Sequence, residues 1–118
     1  MIEKHYWKIK QAALDIDLCV VSKHHSIEEI QSYYDAGERI FAENRSTELI
    51  FKAGTLPKDI AWHYIGHLQR NKVKEILPIV SCIQSLDNIA LAKVIEKEAT
   101  KLNRTVNVLI ELHLADED

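Results

Sequence analysis

Glycine, proline, cysteine and methionine are all scarce in this 118-residue chain, with three, two, two and one copies. So few glycines and prolines leave no Gly/Ser/Pro-rich linker, and no glycine-rich phosphate loop follows the first apolar run. Two cysteines, Cys19 and Cys82, each inside an apolar stretch, are too few for a disulfide framework; they read as buried free thiols of a reducing compartment. No apolar run reaches 18 residues and the amino terminus, Met1 to Tyr6, is too polar for a signal peptide, so a cytoplasmic protein without a membrane partner is expected. Excess positive charge is absent as well. A net charge of −3 and a pI near 6.1 argue against nucleic-acid binding, since the one basic cluster, Arg70, Lys72 and Lys74, is short. What remains, 47% hydrophobic and 28% charged residues, is ordinary composition for a single domain with a core, expected to span residues 1–118.

The hydrophobic pattern alternates between two periods. Residues 3–14 predict an amphipathic helix with Trp7, Ala13 and Leu14 among its apolar positions, and residues 18–21 predict a strand. Ser26-Ile27-Glu28-Glu29 is a capping box opening a helix that Gly37 stops. A strand at 40–42 leads into a helix that Asn44 caps and that runs through Lys52 to end at Gly54. A third strand covers 61–65, and a short helix with Val73, Ile76 and Leu77 ends at Pro78. A fourth strand covers 81–84, a long helix capped by Asp87 carries Leu91, Val94, Ile95, Ala99 and Leu102, and a fifth strand covers 106–112. Five strand-helix alternations specify a parallel α/β sheet with right-handed crossovers. Lys23, Asn44, Gly66, Ser85 and His113 follow the successive strands at intervals of 21, 22, 19 and 28 residues, so they converge on the face where such folds carry their sites.

Two architectures satisfy this pattern. A doubly wound sheet of flavodoxin or receiver type is complete at about this length, but a receiver needs clustered aspartates where this chain has Ser22-Lys23. A (β/α)8 barrel needs roughly 250 residues, of which this chain would supply five βα units. Chemistry at the strand ends centres on Lys23, because a lysine at the mouth of a buried strand can lose its hydration and become a nucleophile toward aldehydes. Position alone leaves it an ordinary surface lysine more often than not. His63 and His67 have a helical zinc spacing, but Ala61 to Ile65 alternates as a strand and Gly66 breaks it, so no metal site is expected. Asn44, Ser85 and Asp87 read first as helix caps, and at a barrel mouth a cap residue also lines the site.

The block His63-Tyr64-Ile65-Gly66-His67-Leu68-Gln69-Arg70-Asn71-Lys72 decides among these options. With Val20-Val21-Ser22-Lys23, Asp35-Ala36-Gly37, Phe41-Ala42-Glu43-Asn44, Ile83-Gln84-Ser85-Leu86-Asp87 and Val108-Leu109-Ile110, it resembles the YggS/PROSC family of pyridoxal phosphate homeostasis proteins, in register from about residue 16 onward. The family usually has Gly-Glu-Asn where this chain has Ala42-Glu43-Asn44, and Asn where His113 stands. The resemblance implies the N-terminal part of a (β/α)8 TIM-type barrel like the N-terminal domain of alanine racemase. It implies pyridoxal 5'-phosphate (PLP) as cofactor, held as a Schiff base on Lys23, with Asn44, His63 and Ser85 lining it. It implies PLP buffering and delivery to PLP-dependent apoenzymes rather than turnover, against the alternatives of an amino-acid racemase or decarboxylase and of a truncated, non-binding fragment. The family's phosphate-holding Met-Ser and Arg-x-Gly segments are expected beyond residue 118.

Overall fold

The computed structural model describes residues 2–112. Helix α1 spans Lys4–Ala12, followed by β1 (Val20–Val21), α2 (Ile27–Asp35), β2 (Ile40–Glu43), α3 (Ser46–Thr55) and β3 (Ala61–Tyr64). After a 3₁₀ turn at Arg70–Lys72 come α4 (Val73–Ile76), β4 (Val80–Leu86), α5 (Ile89–Lys101) and β5 (Asn107–Ile110). The five strands lie in the order β1-β2-β3-β4-β5, and each pairs parallel with the next. A doubly wound sheet reverses direction once and covers both of its faces with helices. Here the strand order never reverses, so right-handed crossovers bring the helices to one side, as in a barrel wall.

The core confirms that winding. Phe41, Trp62, Tyr64, Val80 and Ile83 of the sheet pack with Ile30 of α2, Leu49 of α3, Val73 and Ile76 of α4, and Leu91 and Ile95 of α5 in a single buried cluster. Phe41 and Trp62 are register partners with ring centroids 6.0 Å apart. Side chains alternate across a strand, so the intervening register partners Val21, Ala42, His63 and Cys82 belong to the opposite, open face. An extra residue in β4, between the pairs Trp62↔Val80 and His63↔Cys82, keeps both assignments consistent.

Local signals account for most element ends. Ser26 Oγ accepts from Glu29 N–H and Glu29 Oε1 accepts from Ser26 N–H, completing the capping box of α2. Gly37 follows α2 at φ +113°, a conformation open to glycine. Four expectations are corrected. Arg45, not Asn44, is the N-cap position of α3, and Asn88, not Asp87, caps α5 by accepting from Leu91 N–H at 2.8 Å. Cys19, one residue before the two-residue edge strand β1, is exposed, whereas Cys82, inside β4 between two neighbours, is buried. Helix α1 ends at Ala12, short of Leu14, which is exposed in the turn beyond it; the helix buries Tyr6 and leaves Trp7 exposed, because its anchor is polar: Tyr6 donates to the buried Glu38 carboxylate, which also pairs with Lys10 at 2.8 Å. His113 lies outside the described residues. No helix among them is long and apolar enough to cross a membrane.

Candidate functional site at the strand ends

The parallel ladder runs past the assigned strands. Ser22 N–H donates to Ala42 O and Ile65 N–H to Glu43 O, both at 2.9 Å, so the segments carrying Lys23, Asn44 and Gly66 leave the sheet side by side. Continuing the alternation one step puts Lys23 and Asn44 on the open face with Val21, Ala42 and His63, and puts Ser22 and Glu43 on the helix side. Lys23 is exposed, and its amine makes no hydrogen bond or ion pair among the described residues. The enclosure expected at a strand mouth is not met, because β1 is an edge strand with a neighbour on one side only.

Asn44 is half-buried, and its Oδ1 is shut off from solvent with no hydrogen-bond partner among the described residues. A buried orphan acceptor is costly, so it marks a place where a ligand or water hydrogen belongs. Gly66 explains how close the second and third strand ends come. A Cβ there would sit 2.8 Å from Asn44 Cβ and collide with the Asn44 carbonyl oxygen, so only glycine fits. Ser85, buried in β4, donates its hydroxyl to the Gly66 carbonyl at 2.5 Å and so ties the fourth strand to that turn.

His63 sits one step down the open face. Gln84 Nε2 lies 2.8 Å from His63 Nδ1, and with the amide in this orientation Nδ1 accepts, which leaves the ring proton on Nε2. Partial burial pushes the His63 pKa below its usual 6.5. Three of the four predicted residues therefore adjoin through shared backbone or hydrogen bonds: Lys23 beside Asn44, Asn44 against Gly66, and Gly66 held by Ser85. His63 joins them by register with Ala42. No group of three or more His, Cys, Asp or Glu side chains among the described residues is arranged to hold a metal. An apolar groove of about 910 Å³ lies between α1, α2 and β1, and its lining reaches Ser22 and His25 on either side of Lys23.

Behind Lys23 lies a charged cluster that the sequence reading missed. Lys52 of α3 and Glu43 of β2 are both buried, with Nζ 2.8 Å from Glu43 Oε2 and 2.9 Å from the carbonyl oxygen of Ser22. Ser22 Oγ donates to the same Glu43 Oε2 at 2.6 Å and to Ala42 O at 3.0 Å. Glu48, one turn before Lys52, reaches Nζ at 3.7 Å. Burial pushes the Glu48 carboxyl up, but the Lys52 ammonium, the Glu43 side chain and the backbone N–H of His24 outweigh it and hold the group below its usual range. The signal available in the sequence was Glu43 itself, two residues after Phe41 and therefore on the buried face, where an apolar residue is expected.

No protein-family model matches the chain. Curated relatives do. A pyridoxal phosphate homeostasis protein of Schizosaccharomyces pombe is 32% identical over 115 residues, covering 94% of this chain and 48% of the relative. One from Aquifex aeolicus is 41% identical over 92 residues, covering 77% and 40%. Among solved structures, PipY of Synechococcus elongatus, a COG0325 family member, superposes without PLP at a TM-score of 0.83 and 32% identity, covering 92% of this chain and 54% of PipY. The chain is similar to the COG0325 family, the YggS/PROSC group, over about half the length of its members. A second PipY structure, with PLP bound, superposes at a TM-score of 0.82 and 30% identity. The chain spans about half the length of the curated relatives it matches. Within the family the five-stranded wall corresponds to part of a barrel, and the row Lys23-Asn44-Gly66-Ser85 occupies the carboxyl ends of four successive strands of it.

Proposed function

We propose that this chain provides the amine-bearing wall of a pyridoxal 5'-phosphate site and holds the cofactor as a Schiff base on Lys23, in intracellular vitamin B6 homeostasis. The observation that carries the reading is the pairing of an unpartnered lysine with an orphaned buried amide oxygen, Asn44 Oδ1, on adjacent strand ends. The residues present fit the aldehyde-and-ring end of the cofactor: a free amine, an amide able to bond a ring hydroxyl, and a glycine turn that keeps the wall thin. PLP bound in this way supplies a reversible covalent link to an amine. The neutral Lys23 amine attacks the aldehyde carbon, a C=N bond replaces C=O, and the carbonyl oxygen leaves as water with both amine hydrogens. Asn44 orients the ring, His63 in its neutral form and Gln84 shape the wall below, and Ser85 holds the Gly66 turn.

Residues 1–118 form one incomplete barrel domain in this reading, acting in the cytoplasm. The role is to store and release the cofactor, with PLP-dependent apoenzymes as recipients, and not to turn over amino acids. Incubation with PLP, borohydride reduction and peptide mapping test it. The expected result is a reduced pyridoxyl adduct on Lys23 in preference to the other lysines, abolished in Lys23→Ala. Labelling spread evenly over the lysines overturns the reading. An amino-acid racemisation assay is expected to give no turnover.

A further inference from the structure

We infer that the buried Glu43–Lys52 pair, with the partly exposed Glu48 beside it, is the device that aims Lys23, making Glu43 and Lys52 positioning residues for covalent capture of an aldehyde. The inference rests on the proposed role of Lys23. An exposed lysine has many rotamers and a loop backbone that ordinarily drifts, and a displacement of about 1 Å at a reacting atom can slow a step by roughly a hundredfold. Here the residues on both sides of Lys23 are held. Ser22 is gripped twice, its carbonyl by Lys52 Nζ at 2.9 Å and its hydroxyl by Glu43 Oε2 at 2.6 Å. On the other side His24 turns the chain in the left-handed region at φ 67°. His25 N–H then returns to Ser22 O at 3.1 Å, one residue before the α2 capping box. Lys23 projects from a loop bolted at its base.

Stability alone does not explain such a cluster. A buried ion pair replaced by apolar side chains of similar volume often leaves a protein equally or more stable, because two desolvated charges barely offset their own burial. This cluster is further from ideal, with two carboxylates to one ammonium and with Glu43 Oε1 and Glu48 Oε1 lacking hydrogen-bond partners among the described residues. Leucine or methionine would fill the space under the sheet end, but neither could hold the Ser22 carbonyl. What the charges add is direction.

The test compares Lys52→Met, the double variant Glu43→Gln/Lys52→Met, and Ser22→Ala with the unsubstituted chain, using PLP, borohydride trapping and quantitative peptide mapping. The double variant removes both charges of the fully buried pair and leaves only the partly exposed Glu48 carboxylate, and Ser22→Ala leaves the ion pair itself in place, so a folded protein remains available for comparison. The readout is the rate of adduct formation at Lys23 divided by that at the other lysines. General loosening of the fold raises labelling everywhere, whereas loss of aim lowers Lys23 alone. The expected result is a fall in that ratio of roughly 10- to 100-fold in the double variant, and a smaller fall in Ser22→Ala. A ratio unchanged in both overturns the positioning role while leaving the proposed function standing. A parent chain without preferential labelling of Lys23 removes the function and this inference with it.

Discussion

Lys52 reaches from the middle of α3 to the end of the sheet and there holds a carboxylate, a carbonyl and, more distantly, a second carboxylate. Removing its charge alone strands Glu43 without a cation at zero solvent exposure. Lys52→Met is therefore expected to cost about 3–5 kcal/mol in urea denaturation, and adding Glu43→Gln is expected to restore most of it. His63 behaves differently. Burial favours its neutral form, so its folded pKa lies below the 6.5 of the free side chain and the folded chain binds fewer protons than the unfolded one between those values. Stability from this group is present above pH 6.5 and is lost as the pH falls through the folded pKa. A His63 NMR titration should give a midpoint below 6.5, and His63→Gln should flatten the dependence of the denaturation midpoint just below that pH. At this scale Lys23 and Asn44 were legible from their places after strands, aided by the motif resemblance. The Glu43 and Lys52 pair was not, because Glu48 and Lys52 at i,i+4 look like a solvated surface pair until packing shows which way α3 faces.

Among the elements, α2 and the turn at Gly66 set the frame around the lysine. Ser26→Ala removes one half of the capping box and should cost about 1 kcal/mol, read as a lower denaturation midpoint with faster amide exchange in the first turn of α2. Gly66→Ala drives a Cβ into the backbone of Asn44, so one strand end must move. A loss of about 1–3 kcal/mol is expected, accompanied by weaker adduct formation at Lys23, measured by denaturation and peptide mapping of the same preparation. Element types were readable throughout, since periods of 2.0 and 3.6 are local properties. Their ends were less so. Asn44 and Asp87 both carry good capping chemistry, yet each helix begins one residue later: the chain first completes its strand-end hydrogen bonds, and Asn88 supplies the carbonyl that Leu91 needs. Local propensity cannot weigh that tertiary demand.

Over the whole molecule, the winding follows from the strand order, and the strand order is what the sequence leaves open between a doubly wound sheet and a barrel wall. The motif series pointed to the barrel, and sequential order with helices on one side agrees. That arrangement leaves β1 and β5 with one neighbour each among the described residues, and on β5 Leu109 and Ile110 are 54% and 70% exposed. An apolar, parallel edge of this kind invites pairing with another chain. The 118-residue polypeptide is expected to self-associate as its concentration rises in sedimentation experiments, and Ile110→Lys is expected to shift it toward monomer.

The register shift in β4 gives the strand two reading frames. Val80 and Ile83 both face the helices although they stand three residues apart, a spacing that an unbroken period of two forbids; the spare residue between the pairs at Val80 and Cys82, Ser81, absorbs the difference. In its pairing with β3 the strand should consequently accept the loss of one residue at Ser81. Deleting Ser81 joins the two frames against β3 without reversing either, whereas a deletion between Ile83 and Leu86, where β4 carries a second extra residue against β5, would remove or displace the Ser85 hydroxyl that ties β4 to the Gly66 turn.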